Sequence, residues 1–149
     1  EYMVMIQPTK EEVAAARRKA PYQVLHKDNT AHVVADAQTG ITAYAAFDNY
    51  NPQNDELFSS IPAETMVMQK KVGDNVLMSV CDPNPNISEK TYTTKQPSRP
   101  IEKKLVLKGK WNLAAPNAKA SVKAGQGETI VVVTCQHGQP VEFTLKHCI

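Results

Sequence analysis

Apolar and polar positions alternate in short runs through most of the chain, and three runs near its start set the pattern. Residues 22–25, 31–35 and 41–47 are apolar, separated by Lys27-Asp28-Asn29-Thr30 and by Gln38-Thr39-Gly40. Runs of this length, rich in Val, Ile, Tyr and Phe and bounded by Asx/Gly clusters, predict strands at hairpin spacing. Val24, His32, Val34 and Tyr44 would alternate with outward neighbours at the two-residue period of a pleated strand. A three-strand meander with one apolar face needs a second layer to cover it. Further strands are predicted at residues 66–69, 76–81, 101–107, 119–123, 129–135 and 141–146. Gly73-Asp74-Asn75 and Ala124-Gly125-Gln126-Gly127 read as hairpin turns. Asp82-Pro83-Asn84-Pro85-Asn86 reads as a rigid loop, because its prolines fix φ and its Asx side chains bond back to the backbone. The pattern therefore predicts an all-β fold, an antiparallel β-sandwich with one short N-terminal helix. Val24, Val33, Ala43, Val67, Met78, Val106, Val131, Val133 and Phe143 are the expected inward residues.

Ahead of the meander, residues 2–7 read as a strand stopped by Pro8, and residues 10–19 as a helix. Thr9-Lys10-Glu11-Glu12 is a capping box, in which the Thr hydroxyl and the Glu carboxylate each satisfy an orphan amide. Arg17, Arg18 and Lys19 suit the negative end of the helix, and Pro21 terminates it. The helix is short and weakly amphipathic, which predicts a connector rather than a core element.

Composition narrows the function classes. A length of 149 residues is that of one domain with a real core. A net charge of +2 gives no bulk surface for a polyanion, and no nucleic-acid partner is expected. Ten prolines and six glycines fit many short elements joined by turns. No apolar run approaches the roughly 20 residues of a membrane helix, so no membrane partner is expected. The chain opens at Glu1 with neither an initiator Met nor a basic-then-apolar leader. It reads as a mature or excised segment, with any targeting signal upstream.

Candidate chemistry is sparse. There is no Gly-x-Ser-x-Gly, no His-Glu-x-x-His and no phosphate loop. Cys81, Cys135 and Cys148 lack the close Cys/His spacing of a zinc site, and the residues favour buried thiols over a metal centre. A single disulfide stays open, since sequence does not give connectivity. His26, His32, His137 and His147 are scattered. The polar loop 48–56 offers Asp and Asn oxygens but lacks a calcium-loop consensus, and reads as solvated. Glu128 and Glu142, in strands expected to be neighbours, could pair across a hairpin as solvated charges. Asn86-Ile87-Ser88 is formally a glycosylation sequon. Aromatic rings can stack on the apolar face of a pyranose, which makes Trp111, Tyr50 and Tyr92 the candidate carbohydrate-binding residues, with Tyr44 also considered. Trp111 reads equally well as a core plug. No catalytic set and no metal ligands are assigned.

These motifs, in this order, resemble a family. Glu1-Tyr2-Met3-Val4 looks like the last strand of the central β domain in polysaccharide lyases of the chondroitin/hyaluronate type. Tyr22-Gln23-Val24-Leu25, Lys27-Asp28, His32 and Thr42-Ala43-Tyr44-Ala45 are similar to the start of their C-terminal domain, most of all in the chondroitin sulfate ABC lyases. Asp82-Pro83-Asn84, where relatives often carry Asp-Pro-Thr, and Gly109-Lys110-Trp111 extend the likeness over nearly the whole chain.

The resemblance implies a multidomain enzyme that is secreted or periplasmic. Its helical toroid and central sheet domain would form the cleft in which a Tyr, a His, an Arg and an acid or amide remove the C5 proton of a uronic acid. β-Elimination would then cleave the 1,4 bond of a glycosaminoglycan. None of those catalytic residues maps onto this chain. Residues 1–20 would be the last strand of the preceding central β domain plus a connecting helix, and residues 21–149 the C-terminal β-sandwich domain. The implied partners are that central β domain, the helical toroid of the same polypeptide and the glycosaminoglycan polysaccharide. No cofactor is expected in this chain, and a divalent-cation requirement of the parent enzyme stays open. The alternative is an independent carbohydrate-binding module, which should present two or three coplanar rings on one face, whereas a structural domain should bury Trp111.

Overall fold

The computed structural model describes residues 6–85 and 98–148. A helix, α1 (Lys10–Arg18), precedes eleven strands: β1 (Tyr22–Lys27), β2 (Ala31–Asp36), β3 (Ile41–Ala46), β4 (Phe58–Ser60), β5 (Thr65–Val72), β6 (Asn75–Cys81), β7 (Ile101–Lys108), β8 (Trp111–Leu113), β9 (Ala120–Ala124), β10 (Glu128–Cys135) and β11 (Val141–His147). They form an antiparallel seven-stranded sheet, β1-β2-β3-β5-β6-β11-β8, and a four-stranded sheet, β4-β7-β10-β9. One apolar cluster unites them. Val33, Tyr44, Val67, Val80 and Leu145 come from the first sheet, and Phe58, Leu105, Val131 and Val133 from the second. This is the expected β-sandwich.

The turns explain the hairpins. Asp28 Oδ1 accepts from the amides of Thr30 and Ala31 at 2.7 and 2.9 Å, and Asp36 caps the next turn through Gln38 N and the Thr39 hydroxyl. Both carboxyls are held below their ordinary range, chiefly by these backbone amide bonds. Val72 pairs with Asn75 around Gly73, whose φ is +59°. His137 and Gly138 both take positive φ, +60° and +66°, between Gln136 and Gln139, as a two-residue turn of the I′ kind requires. That turn carries the chain from β10 in one sheet to β11 in the other.

Several expectations are corrected. His32 is exposed, its ring edge-on to Phe47 with centroids 5.0 Å apart, while Ala31 and Val33 are the core residues of β2. β1 carries a bulge, with Val24 paired to Val34 and His26 to Val33, yet its alternation runs on unbroken and Tyr22, Val24 and His26 are all half-buried. Ala43 and Val106 lie one residue out of phase with the buried Tyr44 and Ala46 and with Leu105 and Leu107. Val33, Val67, Met78, Val131, Val133 and Phe143 are buried as expected. Glu128 and Glu142 are not hairpin neighbours, because β10 and β11 belong to different sheets. Strands β4 and β8 were not anticipated.

At the N-terminus both bonds of the capping box form: Thr9 N donates to Glu12 Oε2 at 2.8 Å, and Glu12 N to Thr9 Oγ1 at 3.2 Å. No residue of α1 is buried. Ile6 and Gln7 lie in a bend with Gln7 at φ +48°, so the expected strand over 2–7 does not extend to them. Its other residues, the sequon Asn86-Ile87-Ser88 and Tyr92 lie outside the described residues.

Candidate functional site

The chain crosses from the four-stranded to the seven-stranded sheet at Lys108-Gly109-Lys110-Trp111, and there the candidate Trp111 is fixed. Gly109 turns at φ +83°, where a Cβ would meet His147 Nε2 at 3.5 Å and the indole nitrogen at 3.7 Å. The buried Thr129 hydroxyl donates to Gly109 O at 2.8 Å and accepts from Trp111 N at 2.9 Å. The indole N–H donates to Lys108 O at 2.7 Å, and the ring meets His147 edge-on at 4.9 Å. Trp111 is half-buried and packs against the core. Its donor is spent on the backbone and its ring on His147 and the core, so it clasps the crossover.

Trp111 also borders a cleft of about 320 Å³ at one end of the sandwich, with Tyr44, Asp55, Glu56, Gln69 and Lys71. Asp55, in the loop expected to be solvated, turns inward. Its Oδ1 accepts from the amides of Leu57 and Phe58 at 2.8 and 2.7 Å, and its Oδ2 from the Tyr44 hydroxyl at 2.7 Å. These bonds start β4. Burial, reinforced by the Asp55 carboxylate, pushes the Tyr44 hydroxyl far above the usual phenol range. Tyr44 therefore stays protonated and donates to Asp55. The cleft sets two carboxylates against one lysine, which suits a polyanionic sugar poorly.

Tyr50, a second candidate for sugar stacking, is 8% exposed. Its backbone bridges to Ile61 in both directions, and its ring lies 4.9 Å from that of His26. Burial raises its hydroxyl as well, with Asp55 and Asp28 adding to the effect. Tyr50 is thus a core side chain that offers no ring face to solvent. It does not join Trp111 in an exposed platform, and the third candidate, Tyr92, lies outside the described residues.

The sequence reading missed a buried ion pair. Lys103, 6% exposed, places Nζ 3.1 Å from Asp82 Oδ2, and Asp82 is 1% exposed. The same ammonium donates to Ala63 O at 3.0 Å, and Asp82 Oδ1 accepts from Asn84 N at 2.8 Å. The pair ties β7 of one sheet to the end of β6 in the other. It also gives the Asp82-Pro83-Asn84 loop a structural role. The available signal was a lysine in phase with Leu105 and Leu107. Cys81 and Cys135, near Asp82, carry free thiols that burial pushes up, so neither is an activated nucleophile. Among the described residues, no three His, Cys, Asp or Glu side chains gather as metal ligands.

Comparison with known proteins places this geometry. Residues 23–91 match the family described as polysaccharide lyase family 8, C-terminal beta-sandwich domain. The chain is 25% identical over 151 residues to the chondroitin sulfate ABC endolyase of Proteus vulgaris, covering 98% of this chain and 14% of that protein. It thus spans about one-seventh of the curated relative it matches. The chondroitin AC lyase of Streptomyces coelicolor in complex with chondroitin sulphate superposes with a TM-score of 0.65 at 14% identity, over 95% of this chain and 17% of that one. A xanthan lyase from Paenibacillus superposes with a TM-score of 0.70 at 13% identity, over 95% of this chain and 13% of that one. At these identities the structural likeness concerns the fold.

Proposed function

We propose that the chain belongs to the C-terminal region of polysaccharide lyase family 8 and is the non-catalytic C-terminal β-sandwich of a secreted or periplasmic glycosaminoglycan lyase of the chondroitin sulfate ABC type, cleaving by β-elimination. The observation that carries this reading is the coverage. Almost all of this chain aligns with a small fraction of a chondroitin sulfate ABC endolyase, so the reacting groups have most of a longer polypeptide in which to lie. The site geometry supports it. Tyr44 is a locked hydrogen-bond donor, and the lysine best placed by burial is spent on Asp82. Residues 1–20 are then the last strand of the preceding domain and its connecting helix. The buried Tyr50 and the clasped Trp111 favour this structural role over an independent carbohydrate-binding module.

The test is to incubate the chain alone with chondroitin sulfate, dermatan sulfate and hyaluronan and to follow the ultraviolet absorbance of unsaturated uronate. No product is expected. Steady release at micromolar protein would place a working site within these 149 residues and overturn the proposal.

A further inference from the structure

The two outer faces of the sandwich differ in character. Along the four-stranded sheet, exposed Glu102, Lys104, Lys108 and Lys123 set charge on the surface beside Ile130, which is 37% exposed. The seven-stranded sheet instead presents Phe47 and Met68 at 53% exposure, Met66 and Leu77 at 44%, and the half-buried Ile41 beside them. On β3 and β5 the usual apolar-in, polar-out alternation of a half-solvated antiparallel sheet therefore fails, because residues of both phases are apolar. The face carries a groove of about 500 Å³ lined by Ile41, Met68 and Leu77 and flanked by Lys70 and Glu142. One cation and one anion leave the groove without net charge, which does not suit a sulfated polysaccharide. A contiguous apolar face of this kind marks a contact surface.

A second feature lacks internal support. The nine residues of α1 are well capped, yet none is buried. Isolated helices shorter than about 12 residues are marginal in water, so α1 requires packing that the described residues do not provide.

We propose that the outer face of the seven-stranded sheet, centred on Met66, Met68, Phe47 and Leu77, is the surface on which the preceding domain of the same polypeptide docks, and that α1 packs into the same junction. This rests on the reading of the chain as one domain of a longer lyase. The occupant follows from the matched segment. It is a C-terminal domain covering 14% of its relative, which leaves a large tethered body upstream. A tethered partner meets the face at high effective concentration, so an uncharged apolar surface of modest area suffices to hold it.

Methionine oxidation reads the face directly, since its rate follows exposure. The isolated chain and the longer polypeptide are each treated with dilute hydrogen peroxide, and peptides are quantified by mass spectrometry. Met78, 3% exposed and in the core, is the internal control. In the isolated chain Met66 and Met68 should oxidise about tenfold or more faster than Met78, and in the longer polypeptide their rates should fall toward that of Met78. Equal rates for Met66 and Met68 in the two proteins would overturn the proposal. So would protection in the isolated chain that grows with its concentration, because a second copy would then cover the face. A lyase assay on the same preparation separates the two readings. Loss of protection with activity intact refutes the docking surface, and protection without lyase activity refutes the enzyme assignment alone.

Discussion

Replacing Lys103 with methionine removes the cation of the buried ion pair and keeps most of the side-chain volume. At 3.1 Å the pair attracts by about 5 kcal/mol at an effective dielectric of roughly 20. Burying the two ions costs several kcal/mol each, so the intact pair contributes little net stability. Losing one partner is different, because Asp82 at 1% exposure keeps its desolvation cost and loses the attraction of Lys103. Lys103→Met should therefore destabilise by about 3–5 kcal/mol. For a domain of this size the melting temperature should fall by roughly 10 °C. The double variant Asp82→Asn/Lys103→Met removes both charges and should recover much of that loss, giving a coupling energy well above 1 kcal/mol or so. Thermal unfolding of wild type, both single variants and the double variant, followed by circular dichroism at neutral pH, measures all the terms. A Lys103→Met variant that melts within about 2 °C of wild type, or strictly additive single variants, would refute the claim that the two sheets are pinned here.

Tyr44→Phe removes the donor to Asp55 and should cost about 1–2 kcal/mol in a denaturant titration, with no change where the hydroxyl has no stabilising role. The depressed carboxyls of Asp28 and Asp36 contribute stability that is present above their ordinary value of 3.8 and is lost as pH falls through the lower folded values. Amide exchange in the β1–β2 and β2–β3 turns should therefore quicken in that acid window, and exchange that is flat with pH below 3.8 after correction for intrinsic chemistry would contradict the assignment. Deleting residues 1–20 should lower the melting temperature by no more than about 4 °C, since α1 has no buried residue. An unfolded truncation would make the N-terminal segment part of this core.

Most of the fold was legible because its signals are local. Asx turns and Gly73 fix where strands end, and the Thr9 capping box fixes where the helix begins. Strand phase was harder to read. Residues 41–47 are apolar on both faces, so nothing local chose Tyr44 over Ala43 as the inward residue. In β7 the lysine at position 103 argued for the wrong phase, since a charge reads as exposed until its buried partner at Asp82 is known. The bulge at Leu25 altered the register of β1 against β2, which no local signal marks. Strand β4 was hidden because it has three residues and depends on Asp55, whose carboxylate reaches forward to two amides. The candidate site was legible only in part. Trp111 does stand at a junction, but its clasp depends on Thr129 and His147, which are remote in sequence. The burial of Tyr50 depends on a bridge to Ile61 from a segment read as loop.

The account stands most directly on one assay, in which the longer polypeptide carrying this domain is incubated with chondroitin sulfate beside the isolated chain. The predicted result is unsaturated uronate released by the longer polypeptide and none by the chain alone. A longer polypeptide that folds, leaves chondroitin sulfate, dermatan sulfate and hyaluronan intact and yields no unsaturated product would contradict it.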